Sequence, residues 1–96
     1  MNEIQKEAMI RSCNQIRHEE AVLLEYTPVE EVIDVEYDDN LDDKNHREII
    51  WVKICTNQNG IDYSKGIFVS FFRYRKNLEV IISERRDSMM SELGIH

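Results

Sequence analysis

The sequence predicts an α+β domain with a four-stranded antiparallel sheet, flanked by an N-terminal helix and a short C-terminal helix, in the order α-β-β-β-β-α. Two changes of pattern lead to this prediction. Apolar residues recur at three- and four-residue spacing before Pro28 and alternate with polar residues after it. Near the end, Ser83 precedes a Met-rich segment that again suits a helix. With 96 residues, one Pro and three Gly, the chain is expected to form a single domain over residues 1–96.

The first helix is predicted over residues 2–25. Asn2 is a candidate N-cap, and Thr27 is disfavoured in a helix because Pro28 follows it. The predicted apolar positions of this helix are Ile4, Ala8, Met9, Cys13, Ile16, Leu23 and Leu24.

Four strands are predicted next. The first, over residues 33–38, alternates apolar and acidic side chains. The second, Ile49–Thr56, is apolar on both faces apart from Lys53 and is therefore expected at the centre. The third covers residues 66–75 and the fourth residues 78–83. A final short helix is expected to begin at Ser83 and to end before Gly94.

This order of elements favours a meander with the helices on one face of the sheet. One helical layer cannot cover all the aromatic side chains, because the predicted strands carry apolar residues on both sides. The aromatic residues concerned are Trp51, Phe68, Phe72 and Tyr74. A second copy of the chain could cover the other face, so a homodimer is expected.

Composition limits the choice of partners. The formal net charge is −7, from 19 acidic and 12 basic residues, which argues against general attraction to nucleic acid or anionic lipid. Cys13 and Cys55 are too few and too far apart for a disulfide framework or a Cys-based metal motif. No apolar run approaches the ~20 residues of a membrane span. We expect a cytoplasmic protein without a cofactor.

One long stretch of the chain is acidic and contains neither Lys nor Arg. Such a cluster contributes nothing to folding, because like charges repel, so its concentration in one segment favours binding to a basic partner. A solvated edge that keeps strands from aggregating is the competing interpretation. The candidate binding residues are Glu30, Glu31, Asp34, Glu36, Asp38, Asp39, Asp42 and Asp43.

The resulting hypothesis is a non-enzymatic inhibitor whose acidic surface occupies the nucleic-acid-binding groove of a basic nuclease or regulator. Small acidic anti-restriction and anti-CRISPR proteins of phages, which imitate DNA, are similar to this chain in size and charge only. No motif in the sequence identifies a family.

A nucleic-acid-binding module is the first alternative. Residues 65–71 are similar to the RNP1 signature of RNA-binding domains, but one residue is missing, which moves the following rings to the opposite face. Residues 65–76 contain Lys65, Arg73, Arg75 and Lys76 and no acid, and could contact phosphates.

A small metal-dependent nuclease is the second alternative. The PD-(D/E)xK nucleases place a helix Glu, a strand Asp and a Lys in that order, and this chain has the same order in Glu19, Glu20 or Glu25, then Asp34, then Lys53. That pattern needs an acid two residues before the lysine, where this chain has Trp51. A calcium loop starting at Asp34 fails too, with Asp39 where Gly is required. No metal site is therefore expected.

Overall fold

The computed structural model describes residues 2–25, 30–38, 48–58 and 60–92. It confirms an α+β chain with two helices and an antiparallel sheet, although three strands, not four, lie in the described residues. The strands pair in the order β1-β2-β3. The elements are α1 (Glu3–Leu23), β1 (Val32–Glu36), β2 (Ile49–Thr56), β3 (Lys65–Ser70) and α2 (Phe71–Glu92).

The N-terminus of α1 is closed by reciprocal hydrogen bonds. The side chain of Asn2 accepts the backbone N–H of Gln5 at 2.8 Å, and the side chain of Gln5 accepts the backbone N–H of Asn2. These bonds satisfy two amides that a helix end leaves without partners, and they confirm the predicted cap. At the other end, Leu23 and Leu24 are 79% and 63% exposed, so the prediction that they extend the apolar face was wrong.

The central strand β2 has the predicted bounds. It pairs with β1 on one side and β3 on the other, and Val52 and Ile54 on its helix-facing side are buried. The register of β1 shifts between Val32 and Asp34, which marks a β-bulge. The bulge leaves one residue of β1 without a partner opposite.

The predicted third and fourth strands, residues 66–75 and 78–83, were wrong beyond Ser70. Strand β3 ends at Ser70, and α2 begins at Phe71 instead of near Ser83. The Ser70 side chain accepts the backbone N–H of Arg73 at 3.1 Å, as a helix N-cap does. Tyr74 and Ile81, seven residues apart, are buried at 4% and 1% exposure, so α2 faces the core at helical spacing.

Both helices pack on the same face of the sheet, as predicted. Their side chains meet those of the sheet in one core that includes Met9, Cys13, Val52, Val69 and Ile81. On the other side of β2, the side chains of Ile49, Trp51 and Lys53 remain exposed. The sheet therefore has a covered face and an uncovered one.

The two helices run antiparallel and meet through polar side chains. Asn77 donates from its side-chain amide to the Ser12 hydroxyl at 2.8 Å and to the Gln15 side-chain oxygen at 3.0 Å. Ser12 and Asn77 are both buried, at 0% and 7% exposure. Because these groups lose water on packing, their mutual hydrogen bonds fix how α1 and α2 are aligned.

Candidate functional site

Glu30, the first of the candidate acids, is held by the chain's own groups. Its carboxylate accepts a hydrogen bond from the Thr56 hydroxyl at 2.8 Å and lies 3.2 Å from Lys65 Nζ and 3.8 Å from an Arg17 nitrogen. The hydrogen bonds from Thr56 and then Lys65 lower the pKa of the Glu30 carboxyl. Glu30 therefore links β2, β3 and α1 through its side chain.

Asp34 is engaged in the same way. Its carboxylate lies 2.6 Å from Lys6 Nζ, accepts the Tyr63 hydroxyl, and accepts the Val35 backbone N–H at 3.0 Å. Partial burial raises the pKa of Asp34, but these hydrogen bonds together outweigh burial and lower it. The hydrogen bond from the Tyr63 hydroxyl to Asp34 raises the pKa of Tyr63 to about 12. Asp34 thus ties strand β1 to α1 and to the segment after β2.

Three of the candidate acids, Glu31, Glu36 and Asp38, are exposed along β1 and its two flanks. Within the described part of the chain, neither Glu31 nor Glu36 forms an ion pair, although Lys53 lies directly across the sheet from Glu36. Asp39, Asp42 and Asp43 lie outside the described residues. Among the described acids of this run, Glu30 and Asp34 are held by Lys and Arg side chains, and Glu31, Glu36 and Asp38 are exposed.

The basic segment, residues 65–76, is a strand only up to Ser70. Lys65 pairs with Glu30, and the Arg73 guanidinium forms a two-point contact with Glu19, at 2.8 and 3.2 Å. Lys76 Nζ lies 4.8 Å from the centre of the Phe72 ring, a cation–π contact on α2. The strand and helix parts of this segment hence do not form the single basic-aromatic strand that the nucleic-acid alternative assumed.

The uncovered face of the sheet, called here the open face, consists of the outward side chains of Glu36, Ile49, Trp51, Lys53 and Phe68. Ile49, Trp51 and Phe68 are 57%, 49% and 64% exposed. The Trp51 and Phe68 rings are cross-strand neighbours with centres 4.7 Å apart and planes inclined at 56°. The sequence indicated surplus aromatic side chains, but their grouping depends on the register of β2 against β3.

The two thiols are core groups. Cys13 and Cys55 are free and buried, and the Cys55 thiol contacts the Gly60 carbonyl oxygen. Burial raises the pKa of Cys13 to about 12, with a smaller opposing effect from Arg17. A thiol held protonated in this way is a poor nucleophile.

Within residues 2–25, 30–38, 48–58 and 60–92, no group of three His, Cys, Asp or Glu side chains converges in a way that could hold a metal ion. In the same ranges, neither helix is long and apolar enough to cross a bilayer. Comparison with known proteins adds no relative, since no protein family, curated protein or solved structure matches this chain.

Proposed function

We propose that this chain is a non-enzymatic binding protein whose acidic strand β1 and its flanks dock on a basic protein. In the specific version, it inhibits a nuclease or regulator by occupying the groove that holds nucleic acid. The observation that supports the proposal best is the exposure of Glu31, Glu36 and Asp38 along an edge strand of a chain with net charge −7. A negative potential of this kind attracts basic surfaces and speeds their association.

The proposal changes the set of residues that can contact a partner. Glu30 and Asp34 already have cationic partners within the chain, and releasing them would require breaking those ion pairs. We assign docking to the exposed acids Glu31, Glu36 and Asp38, together with the carboxylates of Asp39, Asp42 and Asp43. This assignment separates the partly buried acids Glu30 and Asp34 from the exposed acids of the same run.

Charge spacing limits how closely β1 alone can imitate DNA. Alternate residues of a strand lie ~6.6 Å apart, whereas duplex DNA carries one negative charge per ~1.7 Å of its axis. With Asp34 neutralised by Lys6, the density along β1 is lower still. Imitation of a duplex thus requires the carboxylates of Asp39, Asp42 and Asp43 as well.

The test uses two variants with equal loss of charge. One carries Glu31→Gln and Asp38→Asn, and the control carries Glu20→Gln and Glu79→Gln at exposed positions on the helices. Immobilised chain is exposed to a lysate of its native cells, the retained protein is identified and purified, and its binding to labelled duplex DNA or RNA is measured with added chain.

We expect the wild-type chain and the control to retain a basic protein and to displace its nucleic acid, with weaker displacement as salt rises. The β1 variant should lose at least about tenfold in potency, and adding Asp39→Asn, Asp42→Asn and Asp43→Asn should abolish the effect. Equal losses in both variants, or a retained protein whose nucleic-acid binding is unaffected, would contradict the proposal.

A further inference from the structure

The open face combines exposed rings with a pair of opposite charges. Trp51 and Phe68 lie side by side, Ile49 extends the apolar strip along β2, and Glu36 and Lys53 are direct cross-strand partners. We propose that two copies of this chain associate face to face through the open face, about a two-fold axis that runs along the strands between β1 and β2.

The register of the sheet specifies this axis. Because Glu36 and Lys53 are paired across β1 and β2, a two-fold axis midway between them exchanges their positions in the two copies. Each Glu36 then lies over Lys53 of the other copy, giving two equivalent ion pairs. The same axis sets the two Trp51 rings next to each other in the space between the two sheets, which stack ~10 Å apart.

The exposed area is enough for a reversible dimer. Ile49 and Trp51 on β2 leave about half of their side chains uncovered, which is roughly 150–250 Å² of apolar surface when large side chains bury 150–250 Å² each. Phe68, on β3, lies beyond the edge strand β1 of the other copy about this axis. This area is well below the ~800 Å² per partner of a standard stable interface, so the dimer is expected to be weak and to dissociate above the micromolar range.

Charge favours a second copy over other occupants. The chain carries −7 overall, so two copies repel through most of their surfaces, whereas the open face presents one acid and one base. A single nucleic-acid strand could stack its bases on Trp51 and Phe68, but it would meet Glu36 beside Lys53, and the net charge of the chain would oppose its approach.

This inference stands independently of the proposed docking by β1. Dimerisation buries Glu36 and approaches Asp38, two residues further along the same side of the chain, but it leaves Glu31, at the other end of β1, to a partner. A dimer would then present two acidic edges, so failure of either proposal leaves the other testable.

The first test measures association of the purified chain. Trp51 is the only tryptophan, so its emission reports on the open face directly. We expect sedimentation equilibrium to show a reversible dimer and the Trp51 emission to shift to shorter wavelength over the same concentration range. A chain that remains monomeric up to millimolar concentration would overturn the proposal.

The second test exchanges the charges. Glu36→Lys alone and Lys53→Glu alone should each weaken the dimer at least about tenfold, because like charges then face each other. An equimolar mixture of the two variants should restore association, since every ion pair across the axis is again of opposite sign. A chain with both substitutions should dimerise as the wild type does.

The mixture separates the interface from folding, because mixing cannot repair the cross-strand pair within either variant. Circular dichroism of each variant checks that the fold persists. A dimer indifferent to both single substitutions, or a mixture no tighter than its components, would place the interface elsewhere. Quenching of Trp51 by an oligothymidylate that competes with dimerisation would assign the open face to nucleic acid and overturn the proposal.

Discussion

The indole ring of Trp51 lies against the backbone of Gly66 on the neighbouring strand. A β-carbon placed on Gly66 would come within 2.1 Å of Trp51 Cζ2 and 2.4 Å of Cη2, well inside contact distance. Only glycine leaves room for the ring in this position. The position of the Trp51 ring on the open face therefore depends on a residue without a side chain.

Replacing Gly66 by alanine should move this ring without unfolding the protein. Trp51 is half exposed and can turn outward, and alanine restricts the unfolded chain more than glycine does, so we expect a stability change within about 1 kcal/mol. The emission of Trp51 should shift to longer wavelength as the ring meets more water. Gly60→Ala is the matched control: Gly60 has a φ of 63° and no atom within 4 Å of an added β-carbon, so it should cost about 1 kcal/mol and leave the emission unchanged. An unshifted spectrum in Gly66→Ala would show that the ring does not rest on Gly66.

Acid should weaken the fold through Glu30 and Asp34. Their ordinary pKa values are 4.5 and 3.8, and both are lowered in the folded chain. A lowered carboxyl pKa stabilises the folded state above the unfolded pKa, and this contribution is lost as the pH falls through the folded pKa. The variant Glu30→Gln/Asp34→Asn should therefore be less stable than the wild type at pH 7, and the difference should shrink steadily below about pH 4.5.

Urea unfolding between pH 3 and pH 7 measures this difference. Glu20→Gln/Glu79→Gln removes the same charge from exposed helix positions and should show no comparable convergence with the wild type in acid. A gap between wild type and the Glu30/Asp34 variant that stays constant with pH would show that the two ion pairs do not stabilise the fold.

Asn77 should be the most sensitive polar position between the helices. Asn77→Ala removes the amide that donates to the buried Ser12 hydroxyl and to the Gln15 side-chain oxygen. We expect a loss of about 1–3 kcal/mol in the free energy of unfolding, at about 0.5–1.5 kcal/mol for each of these two hydrogen bonds. Glu79→Ala, an exposed position two residues further along α2, should change stability by less than about 0.5 kcal/mol. Equal effects at the two positions would mean that water replaces the missing amide.

Ser70 should control where α2 begins. Ser70→Ala removes the acceptor for the Arg73 N–H and should cost about 1 kcal/mol, whereas Ser70→Asn keeps a capping oxygen and should cost much less. Thermal unfolding followed by circular dichroism compares the three chains. A Ser70→Asn chain as unstable as Ser70→Ala would indicate that the hydroxyl acts through something other than the cap.

Sequence patterns predicted some elements well because local rules determine them. The cap at Asn2, the spacing of apolar residues in α1 as far as Ile16, and the bounds of β2 all follow from neighbours within a few positions. The prediction of strands over residues 71–83 was wrong because Phe, Tyr, Val and Ile favour strands, and because Leu78, Val80 and Ile82 alternate as in a strand. The helical stripe was hidden by Asn77, a polar residue at a buried position, and Ser70 was the cap signal that could have revealed it.

The candidate site was less predictable than the fold. Whether an acid is exposed depends on cations from distant elements: Lys6 reaches Asp34 from α1, and Lys65 reaches Glu30 from β3. Nothing in the local composition of the acidic run distinguishes Glu30 from Glu31, yet one is held by Thr56 and the other faces solvent. Pairing of this kind is decided by the packing of α1 against β1 and by the sheet register.

Strand β3 continues directly into helix α2, so the two elements are expected to move together. Ser70 ends the strand and Phe71 starts the helix, and the Phe71 amide is anchored to the Glu48 carbonyl oxygen at 2.9 Å. Phe68 lies only two residues before this junction. A displacement of the Phe68 ring is therefore expected to shift the start of α2 as well, because no loop separates the strand from the helix.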